Sequence, residues 1–420
     1  MAPISTPAPA LALLSASPFN RGIVAAARQR GLQIIAIDRN ATLELDHDHH
    51  VRVDVLDYPE IIRQLAALTQ CRIIGAYTSA DIAVRATNEI NRHFCGRAVP
   101  EALLDAILSK ETMTAAWRRD GLLNRFSQAF AGFSPEILPL VAQFDVIIKP
   151  DDSSSSRGIT ILDRGASSAD VEAAVAQAKA ASTDGRVLVE EFVQGRELTV
   201  EMLGDDAGHV AVYGISLKTH TENTIRNKIA VRLHYNPPEL DDAEQARIAE
   251  FARACFRSFG LRNSMGHLEV LRKPDGTLSP VEINSRSAGF VACPLVDEVS
   301  GRSYVADYLA MLGGAPVADT LFGSDRSAMY FFYDLPAGSA SQHAVNLTEF
   351  LPDGIVSLYH NRTRLAPGNR YALLTCDNDR YGFEILAGPR ALMTSAAIAA
   401  AEVTFLGRLL GPARGGVSPA

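Results

Sequence analysis

The sequence has no concentrated basic block, no apolar run long enough to span a membrane and no close pair of cysteines. Each absence narrows what the chain can do. Its 40 Lys and Arg stand against 48 Asp and Glu, a formal net charge of −8 over 420 residues. That balance lacks the positive surface a phosphate backbone demands, so nucleic acid is not an expected partner. A spanning helix needs roughly 18–20 consecutive apolar residues, and no such run occurs, so no membrane role is expected. The five cysteines (Cys71, Cys95, Cys255, Cys293 and Cys376) are dispersed, which suits reduced thiols in a cytoplasmic protein rather than a disulfide framework. The apolar start through Leu14 has no basic lead and runs straight into a strand–loop–helix pattern, so it reads as a strand, not an export signal. Two phosphate-binding fingerprints are also missing. Residues 15–22, after the first strand, hold one glycine instead of G-x-G-x-x-G, and no G-x-x-x-x-G-K occurs.

What is present is an ordinary globular composition, 47% hydrophobic and 21% charged. Residues 11–14, 33–38 and 72–76 read as strands, with helices to about residue 30 and over residues 58–68 and 81–93. That βαβαβα order predicts a parallel sheet with helices on both faces. Asp46-His47-Asp48-His49-His50 has metal-ligand chemistry but no matching ligand set nearby, and reads as a polar connection into a strand over residues 51–53. A helix is expected over residues 101–119, carrying Ser109-Lys110 and the only tryptophan, Trp117, and then a connecting stretch to residue 143.

Residues 145–150 read as an apolar strand ending in Lys149-Pro150. A lysine there is costly to bury unpaired, so it is expected to face an anion. Ser153-Ser154-Ser155-Ser156-Arg157-Gly158 follows, a loop of hydroxyls and backbone N–H groups suited to wrapping phosphates, although a plain polar linker has the same composition. Residues 187–201 read as two strands around a turn at Gln194-Gly195. They can set Glu190, the Phe192-Val193 backbone and Glu197 around a flat ring and a sugar; alone, they are an acidic hairpin. Residues 219–227 are polar and suit a lid. Helices are expected over residues 241–259, 304–312 and 396–410, with a strand over residues 328–333.

The most informative stretch is Met265-Gly266-His267-Leu268-Glu269-Val270, joined through Pro274-Asp275-Gly276 to Val281-Glu282-Ile283-Asn284-Ser285-Arg286. Strand alternation puts His267 and Glu269 on one face, and Glu282 and Asn284 on one face of the second strand. Glu269, Glu282 and Asn284 would then gather three oxygen ligands of the kind magnesium takes, completed by water and phosphate oxygens. A half-solvated hairpin accounts for the same polar face.

In this order and spacing, Ser109-Lys110, Ile148-Lys149-Pro150 with the serine loop, Val189-Glu190-Glu191-Phe192-Val193-Gln194-Gly195-Arg196-Glu197, and Glu269 followed by Glu282-Ile283-Asn284-Ser285-Arg286 resemble the ATP-grasp carboxylate–amine ligases from about residue 10 to residue 315. The resemblance implies an α/β ATP-grasp fold: an N-terminal Rossmann-like parallel α/β domain (1–100), a small lid subdomain (101–195) and a large subdomain with a C-terminal α+β extension (196–420). It also implies that Lys110 and Lys149 contact ATP phosphates under a loop holding Ser155 and Ser156. Glu190, Glu191, Phe192 and Val193 would hold adenine, and Glu197 the ribose. Glu269, Glu282 and Asn284 would bind two magnesium ions, with manganese as a substitute. The implied activity is an ADP-forming ligase that activates a small carboxylate as an acylphosphate and couples it to an amino acid. Arg286, His267 and Ser156 are the catalytic candidates, with Arg286 foremost for the oxyanion.

Within the family, residues 282–289, the His234…Pro237 motif and the C-terminal region look most like the L-amino-acid ligases of dipeptide-antibiotic type. That resemblance makes Arg232, His234, Arg286 and Phe290 substrate candidates. Members with this histidine motif often carry an acid two residues before it, where this chain has Arg232; a donor with an extra carboxylate, or an acylated one, is the expectation that follows. The alternatives are another acceptor, as in a D-amino-acid ligase or carboxylase, or an ATP-binding regulatory protein without turnover. A homodimer is left open.

Overall fold

Apolar strands alternating with amphipathic helices open the chain, and the computed structural model folds them as that alternation requires. It describes residues 6–17, 20–152, 157–221, 229–289, 292–374 and 379–411. In chain order these form β1 (Ala8–Leu14), α1 (Arg21–Gln29), β2 (Gln33–Ile37), β3 (His49–Val51), α2 (Tyr58–Ala67), β4 (Cys71–Tyr77), α3 (Val84–Ile90), α4 (Lys110–Arg119), β5 (Ser127–Phe130) and α5 (Ile137–Gln143). There follow β6 (Val146–Pro150), β7 (Thr160–Leu162), α6 (Ser168–Ala181), β8 (Val187–Glu191), β9 (Arg196–Gly204), β10 (Val210–His220), β11 (Ala230–Tyr235), α7 (Asp242–Phe259), β12 (Ser264–Arg272) and β13 (Leu278–Asn284). The last are α8 (Ala292–Ser300), α9 (Tyr304–Leu312), β14 (Arg326–Phe332), β15 (Val356–Asn361), β16 (Phe383–Pro389) and α10 (Ser395–Leu410).

The chain divides into two compact units, each made of three segments: residues 1–125, 199–215 and 245–323, and residues 126–198, 216–244 and 324–420. β9, β10 and α7 each run from one unit into the other.

In the first unit β1–β4 form a parallel sheet in the order β3-β2-β1-β4. Ala12, Leu14, Ile35 and Ile37 are fully buried, each large aliphatic among them worth about 1.5–3 kcal/mol. The same unit holds the order β13-β12-β9-β10, with β12 and β13 antiparallel. The β12–β13 turn is closed by Lys273 N–H to Thr277 O at 2.9 Å and Thr277 N–H to Asp275 Oδ1 at 2.8 Å, with Gly276 at φ +85°. Leu268, Val270 and Ile283 are fully buried on one face of the pair, together with Phe256 of α7. Gly266 lies against that ring: an added Cβ would stand 2.8 Å from it.

In the second unit β5-β8-β6-β7 form an antiparallel sheet. Val146, Ile148, Val187 and Val189 pack with Val171 and Val175 of α6 on one face, which leaves Ile147, Lys149 and Glu190 on the other. The order β10-β11-β14-β16-β15 follows, covered by α10 through Phe405 and Leu409 against Phe331 and Tyr333.

Three local expectations need correction. The single helix over residues 101–119 is a short 3-10 turn, Glu101–Leu103, and the separate α4; Ser109 ends the break by capping α4, its Oγ accepting from Thr112 N–H at 3.2 Å. The stretch to residue 143 contains β5 and α5 rather than plain connection. The strand expected over residues 51–53 is β3, two residues earlier, so His49 and His50 are strand residues. Asp46 and Asp48 hold Arg28 at 3.1 and 2.5 Å.

Candidate active site

In the first unit the hairpin register sets Glu269 directly opposite Glu282 and His267 opposite Asn284. All four side chains therefore share one face, above the buried Leu268, Val270 and Ile283. Capping by Ser109 makes Lys110 the first residue of α4, and its Nζ lies 3.1 Å from Glu282 Oε2. Asn284 donates Nδ2–H to Glu282 Oε1 at 3.2 Å. The cluster is two carboxylates and an amide, with an ammonium at one carboxylate. Its oxygens fit a hard divalent cation that keeps water or phosphate oxygens as further ligands. Among the described residues no group of three or more His, Cys, Asp or Glu is placed to hold a metal by itself.

Two side chains that sequence reasoning missed organise this face. Glu201 of β9 is fully buried; its Oε1 lies 2.7 Å from His267 Nδ1 and its Oε2 accepts Ala288 N–H at 3.1 Å. Burial alone would lower the His267 pKa, but the Glu201 carboxylate outweighs it and the net shift is upward. His267 Nε2 is 3.9 Å from Glu269 Oε1. Arg286 donates Nε–H to Asp81 Oδ1 at 2.6 Å and a further N–H to Ser287 O at 2.8 Å. Neither partner carried a sequence signal: Glu201 is one acid in an alternating strand, and Asp81 is 205 residues from Arg286. Ser285 Oγ, between Asn284 and Arg286, is buried with no hydrogen-bond partner among the described residues.

In the second unit Lys149 and Glu190 are both buried and paired, Nζ to Oε2 at 2.6 Å. Glu190 stands opposite Ile147, so Lys149 reaches it diagonally across β6 and β8. The lysine's charge is thus met within the protein, a partner the anion argument had not included. Phe192 N–H is donated to Asp145 O at 2.8 Å, between the half-buried Glu191 and Val193. Glu197 sits between Lys218 Nζ at 2.5 Å and His220 Nε2 at 3.0 Å. Burial would raise its pKa, yet these two neighbours hold it well below the usual carboxylate range.

Arg232 and His234 face elsewhere. The β10–β11 register pairs Lys218 with Leu233, but Leu217 with His234 and Thr219 with Arg232. Both side chains consequently lie on the sheet face opposite Lys218. Arg232 donates to Val231 O at 2.6 Å and to Phe332 O, pairs with Glu402 of α10 and stacks 3.4 Å from the Phe331 ring centre. Its charge is already balanced, which removes the physical basis for inferring a second carboxylate on the substrate. Ser155, Ser156 and Phe290 lie outside the described residues, as do residues 222–227 of the lid stretch.

Residues 142–294 match the ATP-grasp domain family. The chain has an ATP-grasp fold. It is 32% identical over 188 residues to the D-alanine–D-alanine ligase of Xanthomonas axonopodis pv. citri (strain 306), covering 43% of this chain and 55% of that one. It is 30% identical over 217 residues to D-alanine–D-alanine ligase B of Xanthomonas campestris pv. campestris, covering 50% and 63%. The chain therefore spans little more than half the length of these curated relatives. Among solved structures, the L-amino acid ligase from Bacillus licheniformis superposes with a TM-score of 0.72 at 15% identity, over 96% of this chain and 98% of that one. The likeness in fold to that structure thus extends beyond residues 142–294 to the N-terminal parallel sheet and the C-terminal strands. No helix among the described residues is long and apolar enough to cross a membrane.

Proposed function

We propose that this protein is an ATP-dependent, ADP-forming ligase that converts a small carboxylate to an acylphosphate and couples it to the amine of an amino acid. The observation that carries this reading is the single polar face formed by His267, Glu269, Glu282 and Asn284, with Lys110 against Glu282. A carboxylate becomes an electrophile only when its oxygen is made a leaving group, and phosphoryl transfer asks mainly for positioning and charge neutralisation. Glu269, Glu282 and Asn284 would hold magnesium, which supplies charge neutralisation at phosphate oxygens when bound. Lys110, already at the edge of this cluster, would take a phosphate oxygen. Arg286, fixed by Asp81, would stabilise the oxyanion of the tetrahedral intermediate, and His267, fixed by Glu201, is the second donor for it.

In the second unit, Lys149 is assigned to a phosphate, Glu190, Glu191 and the Phe192-Val193 backbone to adenine, and Glu197 to the ribose. The division into residues 1–100, 101–195 and 196–420, and a cytoplasmic location, are part of the same reading.

The acylphosphate step has a direct isotopic test. With the substrate carboxylate labelled in both oxygens with 18O, one label should appear in inorganic phosphate for each amide formed. Phosphate free of label, with amide still forming, would overturn the mechanism. The D-alanine–D-alanine ligase relatives favour one second reading, a D-amino acid as substrate; comparing L- and D-alanine in the same assay separates the two.

A further inference from the structure

The sheet order of the second unit ends at β15, which pairs with β16 on one side and with no strand on the other among the described residues. An open edge presents a row of backbone N–H and C=O groups to any further strand, and proteins ordinarily blunt it with lysine, proline or inward-pointing charge. β15 reads Val-Ser-Leu-Tyr-His-Asn and has none of these. Its one irregularity is a bulge: Ser357 stands opposite Leu386 and Tyr359 opposite Ile385, so Leu358 has no counterpart on β16. A bulge can turn an edge away from partners, but here the extra residue is a leucine, 42% exposed. Val356 is 48% exposed. Leu392, also exposed, adjoins the entry to the strand: its Cδ1 stands 3.4 Å from where a Cβ on Gly354 would be. Single exposed aliphatics are ordinary on a surface; two on an unpaired strand edge make a surface that another strand would cover.

The charges at the two ends of the strand point to a second copy of the same strand. Asp353 lies five residues before Leu358 and Arg364 six residues after it. Both are exposed, and neither forms an ion pair among the described residues. An acid at one end and a base at the other are self-complementary when a strand is laid antiparallel against its own copy about a two-fold axis. The bulge makes one such register consistent with the faces of the sheet. Val356 and Asn361 stand opposite Ala387 and Phe383, on one face, while Ser357 and His360 stand opposite Leu386 and Glu384, on the other. Pairing Val356 with Asn361 and Ser357 with His360 across the axis therefore matches face to face. The same register brings Asp353 level with Arg364 at both ends and gathers the two copies of Leu358 at the centre.

We propose that two copies of this chain associate through β15, paired antiparallel about a two-fold axis between Leu358 and Tyr359, with Asp353 of each copy facing Arg364 of the other. The backbone groups of the open edge supply the hydrogen bonds, Val356 and Leu358 lose their exposure, and the two end pairs set the register. The interface involves none of the residues assigned to the ligase reaction and does not depend on that reading.

The test is sedimentation velocity of the full chain as a function of protein concentration, with circular dichroism to check that each variant is folded. The wild type should show a monomer–dimer equilibrium. Leu358→Asp puts an unpaired carboxylate at the centre of the interface from each copy and should weaken the dimer at least about tenfold. Asp353→Arg turns two attractive contacts into two repulsive ones and should weaken it by about tenfold, and adding Arg364→Asp in the same chain should restore it to within about threefold. All three positions are exposed in the single chain, so the variants should fold. A chain that stays monomeric at its highest soluble concentration, or a dimer untouched by Leu358→Asp, would overturn the proposal. So would an Asp353→Arg defect that Arg364→Asp does not restore, because the pairing predicts that rescue.

Discussion

Glu201 Oε1 lies 2.7 Å from His267 Nδ1, and the second oxygen of the same carboxylate accepts the Ala288 N–H at 3.1 Å. One buried group thus orients the histidine beside Glu269 and pins the turn that follows Arg286. If His267 and Arg286 act on the same intermediate, Glu201 is the residue that sets both. Glu201→Gln keeps one acceptor but loses the charge, and kcat for ADP release should fall about 10- to 100-fold, as for outer partners of other polar sites. Circular dichroism should show the variant folded. Glu201→Ala leaves His267 buried without its partner and should lower stability by about 1–3 kcal/mol as well. Wild-type kcat in Glu201→Gln would remove His267 from the mechanism.

Glu282 joins the other half of that face to Lys110. Glu282→Ala removes an oxygen ligand and should abolish turnover, and magnesium removal by a chelator should do the same to the wild type. Glu282→Gln should retain a trace of activity at raised magnesium. Unchanged turnover in Glu282→Ala would show that the cation is held elsewhere.

The parallel N-terminal sheet and the polar face of the β12–β13 hairpin were legible because both rest on local periodicity: apolar runs separated by helices, and alternation in residues 265–270 and 281–286. The partners that fix this face, and separately the one that holds Arg232 in the second unit, were not. Glu201 is 66 residues from His267, Asp81 is 205 from Arg286, and Glu402 is 170 from Arg232. No short-range pattern encodes such pairings. The division of residues 101–119 failed for a different reason: Ser109 competes as a helix cap inside a stretch whose neighbours all favour helix.

Packing beneath the site gives a stability test. A Cβ on Gly266 would stand 2.8–2.9 Å from the buried Phe256 ring, and one on Gly204 2.4 Å from it. Gly266→Ala should cost about 1–3 kcal/mol by overpacking, and Gly204→Ala should cost at least as much, both read as earlier denaturant midpoints. Gly276→Ala has open space around it but holds φ +85°, so its cost is backbone strain alone, of order 1 kcal/mol.

Asp297 gives folding stability a pH dependence. Burial raises its pKa from 3.8 to about 6, with Asp307 adding to the effect against the Tyr304 N–H. The unfolded carboxyl loses its proton near pH 3.8 while the folded one keeps it until about pH 6, so folding stability falls as pH rises through that window. Asp297→Asn keeps an acceptor for Tyr304 and removes the penalty. The variant should gain on the wild type by up to about 3 kcal/mol between pH 4 and pH 7. A stability difference that does not change with pH would contradict the assignment.

ADP release from the full protein, measured with ATP and magnesium against pools of small carboxylates and amino acids, decides whether it is a carboxylate–amine ligase. ADP and phosphate should form in a one-to-one ratio with an amide, and only when both a carboxylate and an amine are present. AMP in place of ADP, or no amine-dependent ADP with any pool, would contradict that assignment.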